Sequence, residues 1–162
     1  MLRTIKHLLI GGLFIMAIGI PAVTTANENE LKLTIVNPKD LHDPSQNGYS
    51  TAVIAPSGCR VAYISGQGGQ DRTGALSPDF AAQVEQAYAN LRTALDALGA
   101  RPDQVAKLTV FVVDHDMSKL EVLTKNVKEM FGEALPAQTL IPVPKLAIDP
   151  MLFEVEAVVV LD

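Results

Sequence analysis

The chain has 162 residues, of which 48% are hydrophobic and 19% charged, with one cysteine, no tryptophan and a formal net charge of -5. The apolar fraction is too high and the charge too low for a disordered chain, and so acidic a chain lacks the basic stripe of a general nucleic-acid binder. One cysteine excludes an internal disulfide framework and a cysteine-based zinc cage.

Arg3 and Lys6 precede an apolar, uncharged run from Leu8 to Ile20. Pro21 breaks any helix, and Thr24-Thr25-Ala26 offers small residues at a cleavage point before polar Asn27-Glu28. This is the plan of a secretory signal peptide over 1–26, and the run is shorter than the roughly 20 residues a spanning helix needs. The expected mature chain, 27–162, is one exported domain, periplasmic or secreted, without a stable membrane anchor. Losing Arg3 and Lys6 takes its net charge to -7.

Leu31 to Val36 alternates apolar and polar residues and predicts a short strand; Asn37 to Gly48 is a loop rich in turn formers. Thr51 to Ala55 and Val61 to Gln67 predict two strands joined by a turn at Pro56-Ser57-Gly58. The clearest helix follows, with Ser77 as cap, Pro78 in its first turn and Gly99 as its stop. Its apolar stripe is Phe80, Val84, Ala87, Leu91, Leu95 and Leu98. Val105 to Val113 predicts a strand, and Ser118 to Glu121 a capping box opening a second helix, with Leu120, Leu123, Val127 and Phe131 on one face and Gly132 at its end. Gln138 to Val143 and Leu152 to Leu161 predict the last strands, around a loop containing Pro142, Pro144 and Pro150.

This order predicts an α+β fold, a mixed sheet with two helices packed on one face. Two strands conflict with a monomer of that kind. Leu152 to Leu161 carries Phe153, Val155, Ala157, Val159 and Leu161 on one parity, but Val158 and Val160 on the other after Glu154 and Glu156. Val105 to Val113 is likewise apolar on both parities in its second half. Such strands are usually buried on both faces, and two helices cover only one. A second copy is expected on the other.

Read in order, several landmarks resemble the Rid family (YjgF/YER057c/UK114). They are Asn37-Pro38, Gly48-Tyr49-Ser50, Tyr63-Ile64-Ser65-Gly66-Gln67, Asn90-Leu91, Lys107 to Val112, Phe131-Gly132-Glu133, Pro136-Ala137 and Phe153 to Ala157. The resemblance spans Asn37 to Leu161 and implies a chorismate-mutase-like fold assembled as a homotrimer. It also implies a small-molecule partner, held in clefts between subunits where reactive 2-imino acids or enamines are hydrolysed to 2-keto acids and ammonia. No metal or organic cofactor and no nucleic acid are implied.

The resemblance assigns the catalytic carboxyl to Glu154, an aromatic wall to Tyr49, and a backbone cradle to Ser65, Gly66 and Gln67. Gln138 and Thr139 follow Pro136-Ala137, where the family carries an arginine for the substrate carboxylate. An amide there brings no charge. Losing one charge-assisted bidentate contact costs on the order of 1.5–3 kcal/mol, a roughly ten- to more than a hundredfold loss of affinity. Thr124 and Val127 likewise stand where an Asn and a Tyr are usual, and Lys145 is the alternative source of positive charge. The expectation is a hydrolase of small imines or enamines other than the standard 2-imino acids. The alternative is a trimer that binds a small metabolite without turning it over.

Other candidates carry less. Gly66-Gln67-Gly68-Gly69 lacks the Lys-Ser/Thr of a phosphate loop. Asp114-His115-Asp116 precedes a helix, where acids favour the N-terminus without any metal. Cys59 has no adjacent base to activate its thiol, and His42 no evident partner.

Overall fold

The computed structural model describes residues 32–162, so the expected leader over 1–26 lies outside the described residues, as does Leu31 of the first expected strand. Strands β1 (Thr34–Val36) and β2 (Ala52–Ile54) form an antiparallel ribbon with Ile35 opposite Val53. Then follow β3 (Arg60–Gly68), helix α1 (Phe80–Ala97), β4 (Val105–Val113), α2 (Leu120–Phe131), β5 (Ala137–Val143) and β6 (Phe153–Leu161). The four long strands lie in the order β3-β6-β4-β5. Only β4 and β5 run parallel, as a connection through a helix permits. The ribbon touches this sheet through a parallel bridge between Ser50 and Ala137.

One face of the sheet is the core. Phe153, Val155, Ala157 and Val159 of β6 meet Leu108, Val110 and Val112 of β4, and all are buried. Val84, Ala87, Leu91 and Leu95 of α1 and Leu123, Val127 and Phe131 of α2 close over them. Burying each large side chain contributes about 1.5–3 kcal/mol, so the two apolar stripes hold both helices to the same face. Tyr88 stacks on Phe153 at 6.0 Å between centroids, and Phe80 meets that ring edge-on at 6.4 Å. Burial pushes the Tyr88 hydroxyl well above its ordinary pKa.

Five local expectations are corrected. The turn at Pro56-Ser57-Gly58 does not fold β2 onto β3, because β2 pairs with β1 and β3 with β6. Asp79, not Ser77, caps α1, its carboxylate accepting from the Ala82 amide at 2.8 Å while Ser77 Oγ accepts from the Asp79 amide. Asp116, not Ser118, caps the 3-10 turn that leads into α2. The Ser118 hydroxyl and amide, in that order, hold the Asp116 carboxyl below its usual range. Leu98 lies beyond the last turn of α1 and is 42% exposed, and Pro142 lies within β5. That strand is at a sheet edge, where a missing N–H is tolerated.

Gln83 is a polar staple in the core. Its Nε2 donates to the carbonyls of Ser77 and Pro150, both at 2.7 Å, and its Oε1 accepts from the Leu152 amide at 2.8 Å. Gln83→Leu keeps the volume and takes these partners from three backbone groups, on half-buried Ser77 and Leu152 and exposed Pro150, at about 1 kcal/mol each. The expected loss is about 2–3 kcal/mol, read by urea unfolding at fixed protein concentration; a loss below about 1 kcal/mol contradicts the staple.

Among the described residues, no helix lies on the opposite face of the sheet. Tyr63 of β3 is 81% exposed and Val61 47%, and Val158 of β6 pairs with Tyr63. An aromatic ring so far out in water beside apolar neighbours is a patch of the kind that marks interaction surfaces.

Candidate active site

Glu154 lies on the helix-free face, because Phe153 and Val155 on either side of it are fully buried on the other. Across the strands it faces Phe111 of β4 and Gly68 of β3. β3 carries a bulge between Ile64 and Gln67, so Ser65 and Gly66 lie outside the regular ladder. A β-carbon on Gly66 would overlap the Glu154 carboxyl group, so only glycine lets the carboxylate lie against the bulge. Gln67 Nε2 donates to the Ser65 carbonyl at 2.9 Å, which braces the same segment. Glu156 shares the parity of Glu154 but is exposed, beside Thr109.

Asn90 and Gly69, read in the sequence only as a family landmark and as part of a glycine-rich stretch, hold this cradle. Asn90 of α1 donates from Nδ2 to the carbonyls of Gly68 at 2.9 Å and Gln70 at 2.8 Å. Gly69 packs on the Gln83 backbone so tightly that a β-carbon would come within 2.6 Å of the Gln83 Cα. The available signal was three amides in α1, Gln83, Gln86 and Asn90, of which Gln86 donates to Asn90 Oδ1 at 2.9 Å.

A second group of candidates sits at the other edge of the sheet. Ser50 donates through its amide to the Pro136 carbonyl at 2.8 Å and through its hydroxyl to the Leu135 carbonyl. This brings half-buried Tyr49 to the start of β5. Thr124 and Val127 of α2 pack this loop, the Thr124 hydroxyl donating to the Asn47 carbonyl at 3.5 Å and Val127 lying against Gly48. Gln138 is in register with Leu108 and therefore on the helix-facing side, and its Oε1 is buried with no hydrogen-bond partner. Thr139 lies on the opposite face, where the Lys107 ammonium donates to its hydroxyl. Burial lowers the Lys107 pKa from its ordinary value.

The two groups do not meet within one chain. Glu154 is beside Phe111, Phe111 beside Ile141, and Gln138 is three residues back along β5 from Ile141. That is about 10 Å along the strand and two strand spacings of about 4.8 Å across. The odd offset also puts the two side chains on opposite faces. Glu154 with Ser65, Gly66 and Gln67 forms one group of candidates, and Tyr49 with Gln138 the other.

The remaining candidates lie apart. Lys145 pairs with Asp149 at 2.6 Å, both well exposed, so it brings no charge to Gln138. Asp114 adopts a left-handed φ of 47°, and the Lys119 ammonium bonds the carbonyls of Val113 and Asp114. Asp114-His115-Asp116 is thus a tied turn between β4 and α2. The half-buried Cys59 thiol donates to the Pro56 carbonyl at 3.0 Å. His42 Nε2 lies 3.3 Å from Asn47 Nδ2 in the loop before β2.

A four-stranded sheet with two helices on one face and a carboxylate cradled by a bulge on the other defines a class of small α+β proteins. Residues 41–161 match the family model described as Endoribonuclease L-PSP, and the chain belongs to this family, that of the Rid proteins. It is 32% identical over 112 residues to a RutC family protein of Pyrococcus horikoshii, covering 68% of this chain and 84% of that one. Over 116 residues it is 27% identical to a 2-iminobutanoate/2-iminopropanoate deaminase of Dermatophagoides farinae, covering 70% and 86%. A crystal structure from Yersinia pestis, described as a Rid protein of unknown function, superposes with a TM-score of 0.77 at 31% identity, covering 81% of this chain and all of that one.

Proposed function

We propose that the chain is a cofactor-independent hydrolase of small reactive imines or enamines, acting in clefts between copies of a homotrimer. The observation that carries this reading is the separation of the candidates within one chain: Glu154 in its glycine cradle on one face, and Gln138 on the other, near the loop that carries Tyr49. A second copy docked on the helix-free face brings the two halves together. Relatives named as imine deaminases support the reaction class.

In such a cleft the Glu154 carboxylate takes a proton from water as its oxygen attacks the C=N carbon. Nitrogen receives that proton, which completes a neutral carbinolamine; the hydroxyl proton then passes by way of Glu154 to nitrogen as the C–N bond breaks, leaving a carbonyl compound and ammonia or an amine. One water is consumed, and Glu154 ends as it began. Backbone groups of Ser65 to Gln67 orient the water, Tyr49 walls the substrate, and Gln138 orients its polar end, with Thr139 following on the same strand. Because Gln138 carries no charge, the favoured substrate lacks a carboxylate. The pattern of residues 1–26 supports export, and so a substrate met outside the cytoplasm.

One observation favours the second reading, a trimer that binds a metabolite without turnover: Gln138 Oε1 is buried and unpartnered rather than poised toward the open face. The nuclease activity in the family description has less support here, since the chain is acidic and has no aromatic stacking platform beside a basic patch.

The experiment is hydrolysis of a panel of enzymatically generated imines, with and without a carboxylate. The wild-type chain is expected to prefer those without. Gln138→Arg is expected to raise kcat/KM on carboxylate-bearing imines by about tenfold or more. No turnover of any imine, together with saturable binding, would replace this reading by the second.

A further inference from the structure

A cavity of about 380 Å³ lies between the β1–β2 ribbon and the body of the domain. Leu33, Ile35 and Val53 line it from the ribbon, and Val105 and Leu135 line it from the start of β4 and the approach to β5. Its volume is in the range of small-molecule sites. The ribbon above it has only three residues per strand, and a two-stranded ribbon of that kind is marginal without something beneath it. Ile35 is 40% exposed into this space.

Charges of both signs ring the apolar floor. Lys32 and Arg101 are the cations, Asp103 and Glu133 the carboxylates. Arg101 and Asp103 form an exposed pair at 3.1 Å, a kind worth little by itself, which leaves Lys32 and Glu133 as the charges of opposite sign that a ligand would meet. An anion alone would meet two carboxylates here, and a cation alone would meet two cations. A ligand with one charge of each sign and an apolar body satisfies the rim and the floor together.

We propose that this cavity binds a free apolar α-amino acid as its zwitterion, with the side chain on Leu33, Ile35 and Val53. The cavity is separate from the Glu154 cradle. Val105 and Phe111, which faces Glu154, are six residues apart on β4, about 20 Å along the strand. The proposal does not depend on the reaction catalysed.

The test is calorimetric titration of the full chain with three probes, L-leucine, 4-methylpentanoate and isopentylamine. Leucine is expected to bind with a Kd of about 1 mM or tighter, and each probe lacking one charge about tenfold more weakly. Val53→Trp fills the cavity and is expected to abolish leucine binding while imine hydrolysis is unchanged. Glu133 is exposed, so Glu133→Gln keeps the fold; it is expected to weaken leucine about fivefold or more and to leave 4-methylpentanoate unweakened. Absence of leucine binding would overturn the proposal, as would equal binding of all three probes. Binding that survives both cavity variants but is lost in Glu154→Gln would put the amino acid in the catalytic cradle instead.

Discussion

Replacing Glu154 by glutamine is expected to lower the kcat of imine hydrolysis by about 100-fold or more, the usual contribution of a positioned acid–base group. The amide fills the same space against Gly66, so the cradle keeps its shape and only the proton chemistry is lost. Binding is expected to change little, which puts the defect in kcat rather than KM. A different class of change tests the cradle: a β-carbon at Gly66 displaces the carboxyl group without removing it. If Glu154→Gln hydrolyses imines at the wild-type rate, the carboxyl group is not the proton carrier, whatever the assembly.

The second large effect is expected on the helix-free face. Tyr63 is 81% exposed in one chain, so Tyr63→Asp costs the isolated fold almost nothing. In an interface the same change removes an aromatic anchor, of a type that often contributes 2 kcal/mol or more. It also buries an unpaired carboxylate, at about 3–5 kcal/mol, and a trimer repeats that cost at each contact. The wild-type chain is expected to have the mass of three copies by light scattering, and the variant the mass of one, with far-UV circular dichroism unchanged. Imine hydrolysis is expected to disappear with the assembly, although Tyr63 touches no reacting group. A variant that stays trimeric would show that this face is not the interface.

Much of the fold was legible because burial leaves a periodic record. The stripe Val84, Ala87, Leu91, Leu95 has helical spacing and is buried as expected. The double-sided apolar pattern of Phe153 to Leu161 marked a strand that is buried on one parity, with Val158 half-buried and Val160 buried on the other. What was not legible depends on competition between near-equal local partners. Ser77 and Asp79 are both good caps two residues apart, and so are Asp116 and Ser118; the carboxylate won each time, as a charged acceptor binds a helix N-terminal amide more strongly. The pairing of β2 with β1 could not be read from Pro56-Ser57-Gly58, because a turn sequence reports the bend and not the partner.

The site divides the same way. Glu154 could be singled out by resemblance, but the need for Gly66 beside it appears only with the bulge in β3. Gln138 was read as the departure from the arginine of the family. That it faces the helices, away from Glu154, follows only from the pairing of β5 with β4. Asn90 gave little sign of its role, since an amide in a helix looks the same whether it faces water or holds a neighbouring strand.

The central claim is that each active cleft takes Glu154 from one copy and Gln138 from another. Glu154→Gln lacks the acid, and Gln138→Trp blocks the opposite wall, so each is expected to be inactive alone. Unfolded together and refolded as mixed trimers, they form some clefts with both halves intact, and imine hydrolysis is expected to return. If the mixed trimers stay as inactive as their parents, the two halves do not belong to a shared cleft and the account is wrong.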